Sequence, residues 1–571
     1  MAESTYWNRF WRRRVSRRGL LGGSAVAAAG VGAAALVGCN SGGGGGNGGN
    51  GGGTPRPDVP EGSPIPGGTI TQGRTIAALG IDPHVDLTGL DIVSMMYSYM
   101  YSWDAASESI ILNNLATDFE NPDPLNFIFT LRDDVRVWPA PYGGAAADKV
   151  ITSEDCVSSF KRRGEALTAP DKRFPKRIER FDAPNPTTFS FVMSRPFVPA
   201  IREMANATWA IVPSEFADTN LSQVAYGSGP MMMEEFRGQE RIVLTRHPNY
   251  FCAPKPWVDT WRLIVITEDS SLLAAFRNGD HDINGAFLDR ERAEEFGEDD
   301  DFEVFKAPSL FYPVVHIKMK DPWRDIRVRE AFSLAINRDE LIDTIQDGEG
   351  NYSGPIQWPQ FNWALPQEEL RAFYKFDQDR ARELLAEAGV PNPSARLKLP
   401  DLSAPSIVGQ IAELIQNQVN QVGFQIELDA IELGTFISSV ILPGNFDLAF
   451  FPNLPYDEPD RPLSFYHSLG VTGTGNWTNY TNPDLDVLID AQSEEFDPVK
   501  RKEIILEAQR MILPEFGPQI TTTGGFNYAA NWKHVQYGPE GRSAFGGLDT
   551  DSPEEGVEFC PFPSEVWTEK D

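Results

Sequence analysis

Beyond residue 67 the apolar positions follow two periods. Phe127, Phe129 and Leu131 alternate with Ile128, Thr130 and Arg132, the period-two spacing of a half-buried strand, and Phe189, Phe191 and Met193 repeat it. Residues 241–244 and 263–266 predict further short strands. Elsewhere the period is helical. Ala381, Leu384, Leu385 and Ala388 predict a helix with Asp379 as N-cap, Gly389 as stop and Pro391 beyond. Val328, Ala331, Phe332 and Ala335 form another apolar stripe, after which Asn337 opens a second helix, with Glu340 placed to complete a capping box. Asp497-Pro498 starts a helix whose face carries Ile504, Ile505, Ala508, Met511 and Ile512. No repeat of fixed period occurs. The pattern is a mixed α/β chain too long for one core, and two lobes with a cleft are expected.

The first forty residues follow neither period. Arg12, Arg13, Arg14, Arg17 and Arg18 precede a weakly apolar stretch, residues 20–37, that ends Leu36-Val37-Gly38-Cys39. A basic start, an apolar middle and a small-residue cleavage site describe a secretory signal over residues 1–38. Its Gly and Ala content makes insertion as a membrane helix weak. Ser16-Arg17-Arg18-Gly19-Leu20-Leu21 resembles a twin-arginine export signal, and the segment ending at Cys39 resembles a lipobox, which implies lipidation at Cys39. Residues 39–66 follow as a Gly-rich flexible tether stiffened at its exit by prolines. Beyond residue 39 no apolar run is long enough to span a bilayer.

Composition narrows the chemistry. The chain has 571 residues and a formal net charge of −31. Removing residues 1–38 takes away six Arg and one Glu, leaving 44 basic against 80 acidic residues, a net of −36. Such a surface repels phosphate backbones, so nucleic acid is not an expected partner; it also suits a salty medium. Cys39, Cys156, Cys252 and Cys560 show no C-x-x-C spacing, and the last three allow at most one disulfide, whose pairing stays open. The six histidines form no H-E-x-x-H or close pair, so no built-in metal and no cofactor are expected.

A series of motifs then carries a resemblance. Gly67-Gly68-Thr69, Ile81-Asp82-Pro83-His84, NFIFTLRDDVRVW from residue 126 and ITSEDCVSSFKR from 151 come first. YGSGPMMMEEFRGQERIVLTRHPNYF from 226, DIRVREAFSLAINRDELI from 325 and DQDRARELLAEAG from 377 follow, and TNPDLDVLIDA with DPVKRKEI closes the set. In this order they resemble the bacterial extracellular solute-binding proteins of family 5, the oligopeptide- and dipeptide-binding lipoproteins of ABC importers. The resemblance implies an α/β, two-lobed periplasmic-binding-protein-like fold, type II, large peptide-binding class, with an inserted subdomain and an interlobe cleft. Lobe I is expected over 67–305 with 524–571, the subdomain at about 106–215, and lobe II over 306–523. It implies a monomer, tethered outside the cytoplasmic membrane, that closes over a peptide or similar small solute and passes it to an ABC permease and ATPase complex.

In peptide binders of this family an aspartate of the second lobe holds the ligand amine, since a buried unpaired ammonium is costly. Pro455 falls at that position, and Asp457, two residues on, is the candidate for the role or else a turn residue. Arg461 offers a planar fork for a ligand carboxylate, or else is an exposed loop arginine. Tyr101, Trp103, Phe311, Tyr312, Trp358, Trp477, Phe526, Asn527 and Tyr528 are candidate aromatic and polar cleft residues, with ordinary core packing as the alternative. His316 or His467 could touch a bound metal complex, whereas Asp280, His281 and Asp282 match a structural turn. The competing readings are an anchored extracellular hydrolase, for which no G-x-S-x-G nucleophile motif occurs, and a sensory lipoprotein.

Overall fold

The computed structural model describes residues 64–569 apart from 87, 105–108, 112–113, 167–172, 286–287, 310–311, 358–362, 402–406, 454–457, 473–474 and 538–565. The signal, Cys39, the tether and Cys560 lie outside the described residues. Cys156 is a buried free thiol.

The alternating phenylalanines form the centre of an antiparallel sheet. Asn126–Leu131 buries Phe127, Phe129 and Leu131 and pairs with Thr188–Met193, which buries Phe189, Phe191 and Met193. Ala116–Asp123 and Ile178–Asn185 flank them on either side. Phe127 stacks on Phe191 at 4.7 Å, and the helix Ser153–Glu165 covers this face through Phe160, 5.0 Å from Phe189. Each fully buried ring contributes roughly 2–3 kcal/mol. Thr152 and Asp155 close a capping box at that helix's start. Its Arg162 donates to both oxygens of Asp82 (2.7 and 2.5 Å) and lies 3.0 Å from His84 Nδ1. That is what Asp82-Pro83-His84 does: it ties the inserted unit to the N-terminal segment. Burial, then the Arg162 charge, holds the His84 imidazole down at about 3, so it is neutral.

A second sheet orders Thr69–Arg74, Thr260–Val265, Arg241–Arg246 and Met231–Arg237, the first pair parallel. Ile283 bridges Gln72 and Asn531, which ties this sheet to Phe302–Pro308 and its antiparallel partner Phe526–Trp532. Both ends of the chain therefore build one lobe.

The other lobe surrounds a five-stranded sheet ordered Gln425–Glu432, Ser394–Asp401, Leu448–Asn453, Tyr312–Ile317, Gln519–Thr521. Val315, Ile317, Leu397 and Leu448 pack there beneath Ile326–Ala335, Gln378–Glu387 and Ile407–Asn420, in a core separate from that of the first lobe. Among the described residues the chain passes between the lobes twice, between Ser309 and Tyr312 and at 522–525. In the first lobe the two segments pair as far as Pro308↔Phe526; in the second they resume as Val314↔Thr521, one residue out of step. The ladder breaks where the lobes meet, the place where a hinge is expected.

Two local expectations are corrected. The 378–387 helix is capped by Asp377, whose carboxylate accepts the Arg380 N–H at 2.9 Å; Asp379 lies in its first turn. Apolar spacing marks a helix face, not its end. At the 338–345 helix Asn337 caps as expected, but Glu340 does not return to the Asn337 N–H. Gln418 of another helix stands between them: its Oε1 accepts that N–H at 3.0 Å and its Nε2 donates to Glu340 at 2.8 Å.

Candidate functional site between the lobes

In the second lobe Ser394–Asp401, Gln425–Glu432 and Leu448–Asn453 run parallel, so Asp401, Glu432 and Asn453 end along one edge of the sheet. Tyr312 pairs with Asn453, and Tyr312–Ile317 begins at that same edge. Open α/β sheets bind ligands in the crevice outside the carboxyl ends of their strands, where loops diverge and backbone groups are left uncovered. Both crossing segments leave this edge, so the first lobe faces it. The lobes approach at its rim: a Cβ at Gly434 would lie 3.5 Å from Leu79 Cδ1. Glu432 caps the turn there, accepting the Gly434 and Thr435 N–H groups at 2.8 Å each, and those bonds hold its carboxyl below the usual range.

The hinge supplies the back wall. Tyr312 is fully buried, and burial pushes its hydroxyl well up. Its ring fills the space beside Gly524, where a Cβ would lie 1.2 Å from Cε1. The Tyr312 hydroxyl, Ser353 Oγ, Gln357 Nε2 and Thr523 Oγ1 are buried without a hydrogen-bond partner among the described residues. Unused buried polar groups are costly in a finished core, and beside a crevice they are donors and acceptors available to a polar guest. Behind this wall Glu349 accepts from Lys306 Nζ (2.7 Å) and the Tyr528 hydroxyl (2.6 Å), joining second lobe to first; those two bonds keep its carboxyl low. Lys306 also lies 4.5 Å from the Phe526 ring centroid.

Four expected site residues thus meet at the hinge: Tyr312, Phe526, Asn527, which pairs with Ala307, and Tyr528, whose hydroxyl joins the lobes through Glu349. Tyr101 lies elsewhere. It is fully buried in the subdomain core, its hydroxyl donates to Ile201 O at 2.7 Å, and its ring stacks near Phe129 at 6.2 Å, so its polar atom is already committed. Trp103 belongs to a short hairpin, Ser102–Asp104 with Ser109–Ile111. Phe311, Trp358 and Asp457 lie outside the described residues. Arg461 is not an exposed loop residue: it is buried in the helix Asp460–Ser464, 3.8 Å from Glu203 of the subdomain. Trp477 packs on Phe465 at 5.5 Å and near His316 at 6.1 Å. His316 is buried, which lowers it to about 4. His467 lies 3.6 Å from Asp490. Asp282 has the structural part expected of it, accepting Thr71 N–H at 2.7 Å and facing His534 Nε2 at 2.9 Å.

Glu349, Lys306, Arg177, Arg195 and Asp490 escaped the sequence reading. Each acts through partners tens to hundreds of positions away, and such pairs leave no local spacing signal. Among the described residues no three His, Cys, Asp or Glu side chains gather as a metal site requires, and no helix is long and apolar enough to cross a membrane.

Residues 111–476 match the family described as bacterial extracellular solute-binding proteins, family 5 Middle. The probable D,D-dipeptide-binding periplasmic protein DdpA of Escherichia coli (strain K12) is 24% identical over 469 residues, which is 79% of this chain and 87% of the relative. Among solved structures, the periplasmic binding protein DppA from Helicobacter pylori in complex with peptide STSA superposes with a TM-score of 0.75 at 20% identity, over 89% of this chain and 99% of that one. MoaA from A.tumefacien R10 in complex with mannopinic acid also gives 0.75, at 21% identity over 88% and 99%. At these identities the likeness is one of fold, the two-lobed type II architecture.

Proposed function

We propose a capture-and-delivery function for this chain, because it belongs to the bacterial extracellular solute-binding proteins of family 5. It is a solute-binding protein, not an enzyme, and it acts outside the cytoplasm. On this reading it takes a peptide or similar small solute into the crevice at the carboxyl edge of the five-stranded sheet, closes about the two crossing segments, and is emptied by an ABC permease and its ATPase. The observation that carries it is the meeting of that edge, with its unpartnered buried hydroxyl and amide groups, and two antiparallel crossing segments between lobes. Closure then reports occupancy, since only a ligand that prefers the closed form can shift the balance.

Lobe I is proposed over 67–305 with 524–571, the subdomain at about 106–215, and lobe II over 306–523, with the strand Phe302–Pro308 carrying the boundary a few residues on, since it pairs with Phe526–Trp532 of lobe I. The peptide-binding names of the relatives support a peptide, with Asp457 as the carboxylate for its amine and Trp103, Phe311, Trp358 and Trp477 as walls. The basic run and lipobox-like end at Cys39 support twin-arginine export and lipid anchoring on a tether, and a monomer is proposed from the family resemblance. Native mass spectrometry of the purified protein should find co-purified cargo, and adding that cargo should shrink the scattering radius of gyration. Cargo released chemically altered, or no shrinkage, overturns the reading. Cys39→Ala should release the protein from the membrane fraction; unchanged attachment rejects the anchor.

A further inference from the structure

We propose that the inserted subdomain and the second lobe form a polar clasp that biases the ligand-free protein toward closure, at a contact separate from the cargo crevice. It rests on the capture reading only in requiring that the lobes move.

The helix Pro483–Glu494 is well made at its start and poorly made at its end. Asn482 caps it, Pro483 sits at its first position, and Asp484 and Asp486 complement the positive end of its dipole. At the other end Asp490 and Glu494 stand near the negative pole, with no basic residue in the last turn. Compensation comes from the other lobe. Arg177 and Arg195 each lie 3.1 Å from Asp490 Oδ1, and Arg195 is also 3.3 Å from Glu494 Oε1. The Val198 N–H donates to Ser493 O at 2.8 Å, closing one of the carbonyls that a helix end leaves open.

Arg177 is prepared for this. It lies 4.5 Å from the Phe197 ring centroid and donates to Pro196 O and Ser493 Oγ, both at 3.1 Å. Beside it Glu203 faces Arg461 at 3.8 Å, and Phe496 packs on the first lobe's core. Burial pushes the Asp490 carboxyl up, but the His467 ring and the two guanidiniums outweigh burial and hold it at about 2. The carboxylate is therefore charged throughout the range in which the protein works.

The contacts of Arg177 and Arg195 with Asp490, of Arg195 with Glu494, of Val198 with Ser493 and of Glu203 with Arg461 join lobes that are covalently linked only through the two crossing segments among the described residues. Parting the lobes would strip the helix end of both its counter-charges and its carbonyl partner, with no cargo involved. Partly exposed ion pairs are individually weak, so the clasp shifts a population and does not lock it. Cargo then adds its own preference for the closed form.

The test is the interlobe distance distribution of the ligand-free full chain, by double electron–electron resonance between spin-labelled non-canonical residues replacing Lys161 and Lys502. Arg195→Glu should lower the closed-to-open ratio by about fivefold, and adding Glu494→Arg should recover part of the loss, because the new acid at 195 still faces Asp490. Unchanged melting curves will show that both variants fold, and Arg195→Gln, expected to fall between, serves if the reversal does not. A wild-type distribution in Arg195→Glu, or a shift that the reciprocal swap leaves in place, overturns the clasp. Shortening on addition of pooled tripeptides that is identical in wild type and Arg195→Glu also overturns it, while leaving capture standing.

Discussion

Gly524 shows how one missing atom shapes the hinge. Tyr312, fully buried, occupies the space where residue 524 would carry a Cβ, and the two lie on opposite crossing segments. Gly524→Ala must therefore push a large ring, or the crossing backbone, out of place. The expected cost is about 1–3 kcal/mol, read as a lower urea midpoint, with weaker cargo binding; a wild-type midpoint would show that the ring moves freely. Arg338 works nearby. The residue is 1% exposed, and its guanidinium donates to Thr521 O at 3.2 and 2.9 Å and lies 4.2 Å from the Tyr374 ring centroid. Burial lowers it to about 10, so it stays charged at neutral pH while holding the strand that leads into the hinge. The motif around Arg338 was legible in the sequence, and Tyr312 was legible as an aromatic near a crossover. What was not legible is that Tyr312 faces a glycine more than two hundred residues away.

At the scale of elements, faces were easier to read than ends. The phenylalanine alternation and the apolar stripes identified strands and helices because burial of one face imposes their period. Helix ends depend on single hydrogen bonds, and a neighbour can take them over. Gln418 does so at Asn337. Gln418→Ala should cost about 1 kcal/mol, because Glu340 can then swing back and complete the capping box itself. Combining Gln418→Ala with Glu340→Ala should cost more than the sum of the single changes by urea denaturation, and simple additivity would refute the takeover. The same logic governs helix 483–494, whose first turn obeys local rules and whose last turn makes sense only against the other lobe.

Across the whole molecule, charge sets two opposing salt effects. The net charge of −31, or −36 without residues 1–38, makes the folded chain repel itself. Raising salt from about 0.1 to about 1 M shortens the screening length from roughly 10 to roughly 3 Å, so Tm should rise. The attraction between Arg195 and the Asp490 and Glu494 carboxylates is screened by the same salt, so the closed fraction of the ligand-free protein should fall over that range. A Tm independent of salt would remove self-repulsion as a factor, and calorimetry across a salt series measures it directly.

Periodicity, composition and motif order alone determined the mixed α/β character, the family resemblance, the acidic surface and the positions of several strands and helices, because those properties are local or additive along the chain. Which aromatic side chains face the crevice, which hydroxyls are already committed, and which ions meet across the lobes were decided by the tertiary structure. Tyr101 and Tyr312 are alike in sequence, yet one completes a subdomain core and the other lines a hinge, since only the folded chain brings Ile201 to the first and Gly524 to the second.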